Sequence, residues 1–192
     1  MMFWVHLDSK INVPSSGKMN VVRKGLHHRQ RPDALPHVYF ASNSKKVVVD
    51  VATRAGPVHI ESAAELKTKK WHHVAVTADC IGVRLYVDGK HSASKRVTAP
   101  LLSNSDPFYV GRCPDVAYPS SENAVGFKGY LLDCRYYLRK LDVHAVEQYF
   151  KKCKPNEKKK PHVSRIQIKS HSKDPVKKGM FSLYISFCIF EH

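Results

Sequence analysis

The sequence is poor in the features that mark enzymes, metalloproteins and membrane proteins. Its 192 residues hold 16 Asp and Glu against 32 Lys and Arg. Paired-carboxylate hydrolysis needs two acids about 5–10 Å apart across the scissile bond, and no Glu-x-Asp-x-x-Glu pattern sets them on one strand face. Glu61 and Glu65 are the nearest pair, at a strand end where solvation is expected, and most other acids stand singly in turns (Asp33, Asp79, Asp88, Asp115, Glu122). Carboxylate catalysis is therefore not expected. Five cysteines, Cys80, Cys113, Cys134, Cys153 and Cys188, are odd in number, widely spaced and without a Cys-x-x-Cys. That pattern argues against a disulfide framework and a zinc knuckle, and a reducing compartment is the simpler expectation. No apolar run approaches the ~18 residues of a membrane span. The start, Met1-Met2-Phe3-Trp4-Val5, lacks a basic region and a signal-length apolar run, and Asp8 and Lys10 follow at once.

Twelve histidines are present, yet no His-Glu-x-x-His occurs. The adjacent pairs His27-His28 and His72-His73 would point to opposite faces of a strand, which prevents either pair from chelating one ion. They are expected to be structural. Cys80, beside Asp79 in a turn, has no base in view to activate it and is expected to be an ordinary thiol.

What is present is β periodicity. Trp71-His72-His73-Val74-Ala75-Val76-Thr77 and Val83-Arg84-Leu85-Tyr86-Val87 alternate with period two, and Asp88-Gly89 is a strong signal for a tight hairpin turn. In the second segment Val83, Leu85 and Val87 share a face. Further strands are expected at Phe3 to Leu7, Val21-Val22, Val38 to Ala41, Val47 to Val51, Val58 to Ile60, Ser92 to Val97 and Phe108 to Gly111. From Lys128 to Leu138, Tyr130, Leu132, Cys134, Tyr136 and Leu138 fall on one face of a long half-buried strand. A single helix is expected from about Val143 to Lys152, capped by Asp142 and packing through Val143, Val146 and Phe150. Many short strands and one late helix predict an all-β, two-sheet antiparallel jelly-roll sandwich.

The excess charge lies late in the chain. Residues 151–178 carry eleven Lys or Arg against Glu157 and Asp174, part of a net +16. With Pro155, Pro161 and Pro175, this composition predicts a basic, largely disordered tail over residues 151–192 behind a sandwich at 1–150. Lys158, Lys159 and Lys160 form its densest cluster and resemble a short nuclear-localisation signal. No folded reader of nucleic acid is evident, so contact with nucleic acid or another acidic partner would be non-specific and salt-sensitive. The apolar end, Met180 to Phe190, has two readings: an added strand, or an extension foreign to the fold.

The Trp-x-His-Val-Ala-Val-Thr strand and the Leu-Tyr-Val-Asp-Gly-Lys hairpin (Leu85 to Lys90) resemble the central hairpin of laminin-G-like domains in the concanavalin A-like lectin/glucanase superfamily. Asp106 to Arg112 and Gly126 to Leu141 are similar to later strands of that family, so the resemblance covers roughly residues 1–150. It implies a concanavalin A-like sandwich acting as a non-catalytic binding module for a glycan or a protein partner, commonly inside a larger multidomain protein. Rim loops are where recognition would lie: Asn12 to Pro36, Leu101 to Asp106 and Pro114 to Val125. Many members hold calcium at the rim, and the oxygen-rich Ser103-Asn104-Ser105-Asp106 makes Asn104 and Asp106 the expected ligand-binding or calcium positions, although an ordinary turn uses the same residue types. The family usually begins with a strand ahead of the one resembling Phe3 to Leu7. Its absence implies a chain that starts within the fold, with any signal peptide lying upstream.

Overall fold

The computed structural model describes residues 1–15, 17–25, 27–28, 31–32, 35–104, 106–111, 124–137, 139–156, 169–170 and 183–187. Its elements are β1 (Met2–Leu7), β2 (Lys18–Lys24), β3 (His27–His28), β4 (Arg31–Pro32), β5 (His37–Ala41), β6 (Val47–Thr53), β7 (Gly56–Glu61), β8 (Trp71–Ala78), β9 (Gly82–Val87), β10 (Lys90–Arg96), β11 (Phe108–Val110), β12 (Ala124–Gly126), β13 (Gly129–Arg135), α1 (Val143–Lys152), β14 (Lys169–Ser170) and β15 (Leu183–Phe187). One sheet runs β10-β9-β8-β1-β13-β15-β14 and the other β11-β2-β5-β6-β7, with β12 joining β2 in parallel. The remaining pairings within both sheets are antiparallel, as expected of a jelly-roll sandwich. The apolar end thus supplies β15, paired to β13 through Leu131↔Phe187 and Cys134↔Ile185.

Alternation builds the core. Phe3, Val5 and Leu7 of β1, Val74 and Val76 of β8, and Val83 and Leu85 of β9 face Met19, Val38, Phe40, Val49 and Val51 of the other sheet, all buried in one cluster. The Asp88-Gly89 turn has both residues at positive φ, 51° and 75°, the twist that suits a tight hairpin. Trp4 points the other way and is also fully buried, because α1 covers the outer face of β1 and β8. Strand β1 therefore packs on both faces, which accounts for its nearly unbroken apolar sequence.

Two bulges break the period-two pattern. On β2 the register to β5 slips between Asn20 and Val22, and both Val21 and Val22 enter the core. On β13 it slips near Asp133, which sits at φ 51°. Leu131 and Cys134 consequently face the core, whereas Tyr130 and Leu132 pack under the helix. The expectation that Tyr130, Leu132, Cys134 and Tyr136 share a face is corrected: one inserted residue changes the phase midway along the strand. Leu138 lies outside the described residues.

Helix α1 spans the expected residues, and the Asp142 carboxylate accepts the Ala145 N–H at 2.7 Å. Its buried anchors are Val146 and Tyr149, while Val143 is exposed.

Candidate functional site

The two bulges decide what lines the sandwich rim. After the slip in β2, Arg23 turns outward to His37 (Nη1 to Nδ1, 3.3 Å) and Lys24 turns inward. After the slip in β13, Asp133, Arg135 and Tyr137 lie on the helix side and Tyr136 packs against the core. Between the sheets at this end opens a cleft of about 300 Å³. Its apolar surface comes from Met1, Leu35, Pro36, Val51, Val76, Leu101, Leu102 and Leu141, Tyr136 adds ring surface, and Tyr137 borders it. Lys24, Thr77, Ser103, Asn104, Arg139 and Lys140 supply polar groups.

Electrostatics at the cleft are set by lysines. The Lys24 ammonium donates to Asn104 Oδ1 at 3.0 Å, Asn104 O at 3.1 Å and Asp106 O at 2.9 Å. Burial lowers its pKa and the nearby Asp106 charge opposes that shift. On the opposite rim Lys140 Nζ meets Asp79 Oδ2 at 2.5 Å, and this contact, with the Ile81 and Gly82 N–H groups, holds the Asp79 carboxyl well below its usual range. Arg139 is exposed.

The residues expected at a binding or calcium site, Asn104 and Asp106, are thus brought together, with Lys24 between them. Of the expected rim loops, Leu101 to Asp106 and the end of Asn12 to Pro36 contribute to the cleft, whereas most of Pro114 to Val125 lies outside the described residues. So do Lys158, Lys159 and Lys160. Among the described residues no group of three or more His, Cys, Asp or Glu could hold a metal ion, and no helix is long and apolar enough to cross a membrane.

His72 and His73 take opposite faces, as expected. His72 Nδ1 lies 2.9 Å from Asp88 Oδ2 and Nε2 reaches the Lys67 backbone, while His73 packs among Trp4, Tyr149 and Phe150. Glu61 pairs with Lys46 at 2.8 Å, and Glu65 accepts from Ser44 Oγ and the Lys45 N–H. Cys80 and Cys153 are exposed free thiols and Cys134 is buried and free.

Sequence reasoning missed Lys24, Tyr136, Tyr137, Arg139 and Lys140 as cleft residues. A basic residue closing a strand and a Tyr-Tyr pair closing another were visible, but nothing local tied them together.

The laminin-G-type family model described as the concanavalin A-like lectin/glucanases superfamily matches residues 2–147, and the chain belongs to that family. No curated protein matches it. Among solved structures, the carbohydrate-binding module CBM40 of a Ruminococcus gnavus IT-sialidase, bound to α2,3-sialyllactose, aligns at TM-score 0.57 and 14% identity, over 78% of this chain and 80% of that one. A Bacteroides ovatus protein named as a candidate carbohydrate binding protein aligns at TM-score 0.56 and 17% identity, over 77% of this chain and 39% of that one. Domains LG4-5 of the mouse laminin α1 chain align at TM-score 0.47 and 16% identity, over 68% of this chain and 34% of theirs. The first two likenesses establish the sandwich fold. The chain spans well under half of the Bacteroides and laminin structures, and most of the CBM40 structure.

Proposed function

We propose that the chain is a non-catalytic binding module that takes a glycan in the rim cleft. The cleft lining carries this reading: among the described residues it holds no Asp, Glu, His or Cys to protonate a leaving oxygen or attack an anomeric carbon. What it offers instead is apolar wall and tyrosine ring surface for the C–H face of a sugar, with amide, hydroxyl and cationic groups at the edge for its oxygens. A volume of about 300 Å³ is at the small end for ligand pockets and fits a ring or two entering from solvent. The carbohydrate-binding descriptions of two structural relatives support a sugar over a protein partner. In this reading residues 1–150 recognise the ligand, residues 151–192 contribute charge, and the whole is one module of a larger protein.

The test is a panel of neutral and charged glycans offered to the full chain, with Ser103→Trp to fill the exposed cleft wall. Binding of at least one glycan that survives high salt and disappears in Ser103→Trp is expected. A panel without a ligand, or a ligand indifferent to Ser103→Trp, overturns the reading.

A further inference from the structure

We propose that the Lys24 ammonium stands where this fold family's rim calcium is expected, so that the cleft takes an acidic sugar, one bearing a carboxylate or sulfate, without a metal. The acidic-sugar half rests on the glycan reading above; the calcium half stands alone.

The oxygens around Lys24, an amide oxygen and two backbone carbonyls, belong to the donor set of a hard cation. Their distances of 2.9–3.1 Å are those of N–H···O bonds, longer than the roughly 2.3–2.6 Å of calcium–oxygen contacts. Three ammonium protons meet three acceptors, so the amine's hydrogen-bonding capacity is filled. A calcium ion would need these same oxygens while lying beside a fixed positive charge. The bulge in β2 makes this arrangement, because in an unbroken strand Lys24 would share the outward face of Asn20.

The charge has a consequence for the ligand. Neutral acceptors satisfy the ammonium without cancelling its charge, and among the described residues the adjacent Asp106 offsets it. Arg139 brings a further, exposed cation, while Lys140 is paired with Asp79, and among the described residues no anion lines the cleft itself. Cations in a cleft with low-dielectric walls focus their field on an entering group of opposite sign. A carboxylate or sulfate on a sugar ring fits that field, and its ring fits the tyrosine and leucine walls.

The experiment titrates the full chain calorimetrically with sialyllactose, a sulfated disaccharide and uncharged lactose, each in millimolar calcium and in chelator. Acidic ligands should bind roughly tenfold or more tightly than lactose, equally with and without calcium. The sialylated and sulfated arms then identify which anion is preferred. Lys24→Met and Arg139→Gln should each reduce the preference for acidic ligands; Arg139, being exposed, reports even where Lys24→Met disturbs the loop. A requirement for calcium, or lactose binding as tight as that of both acidic sugars, overturns the proposal. Terbium luminescence tests the calcium half directly: silence supports it, and saturable terbium binding displaced by calcium and lost in Asn104→Ala overturns it. A chain that binds no glycan but stays silent to terbium overturns the glycan reading and leaves Lys24 established as the loop's cation.

Discussion

The Tyr149 hydroxyl on α1 donates to the Asp133 carboxylate at the β13 bulge. The same carboxylate accepts two bonds from Arg135, Nε to Oδ1 and Nη2 to Oδ2, each 2.7 Å. The Arg135 guanidinium lies 4.6 Å from the Tyr149 ring centroid, so one carboxylate and one cation clamp the helix to the sheet. Tyr149→Phe keeps the ring under Arg135 and removes only the hydroxyl. It should lower stability by about 1–2 kcal/mol, the scale of a hydrogen bond to a charged group, measured by urea denaturation at neutral pH. An unchanged midpoint would show that the clamp contributes nothing.

His73 should make the fold acid-sensitive. Its ring is buried, neither ring nitrogen has a hydrogen-bond partner among the described residues, and burial lowers its pKa from 6.5 to about 4 against the pull of Asp88 and Asp133. The unfolded chain therefore takes up the proton first. Stability is full above about pH 6.5 and falls as the pH drops towards 4, by at most about 3 kcal/mol from this group. Denaturation at pH 7 and pH 5 should show a smaller loss for His73→Phe than for the native sequence; equal losses would exclude His73 as the source.

Gly129 should tolerate no side chain. It sits at φ 149°, and a Cβ there would fall 2.4 Å from the His6 carbonyl oxygen and 2.7 Å from Phe127 Cζ. Backbone cannot yield as a flexible side chain can, so Gly129→Ala should cost more than about 2 kcal/mol. Thermal unfolding measures it, and a melting temperature within a degree or two of the native one would mean that the end of the β1–β13 ladder separates easily.

The charged tail should act independently of the cleft. Replacing Lys158, Lys159 and Lys160 together by alanine should weaken retention on a polyanion column and flatten its salt dependence, by up to about one unit of log-log slope per lost contact. Rim binding should stay unchanged. Loss of glycan binding in this variant would move recognition from the sandwich to the tail.

Most of the sandwich was legible because its strands repeat. The β8–β9 pair announces itself in two alternating segments, the β9–β10 hairpin in its Asp88-Gly89 turn, and the inward set Phe3, Val5 and Leu7 follows from period two. The helix was visible in Asp142 and Val146, although Tyr149 rather than Val143 anchors it. The cleft was half legible: Asn104 and Asp106 were flagged by their oxygens, but Lys24 belongs to a strand far away in sequence. Pattern reasoning assumes uniform alternation, and one extra residue in β2 or β13 reverses every assignment beyond it. Local composition does not reveal such an insertion when, as at Val21-Val22 and around Asp133 between Leu132 and Cys134, the residues on both sides are apolar.

Those two bulges make the cleft a matter of counting. Straightening β2 with every residue kept would swing Lys24 to the outer face and bring Arg23 to the inner one, whereas deleting one of Val21 and Val22 removes the extra residue and leaves Lys24 facing in. In β13 likewise, a straightened strand would exchange Tyr136 for its neighbours, and loss of Asp133 would leave it in place. Each bulge thus absorbs a one-residue difference in length at its own position, whereas a residue gained or lost elsewhere in these strands, with no bulge to absorb it, would turn the cationic rim away from the cleft while every residue that forms it is retained.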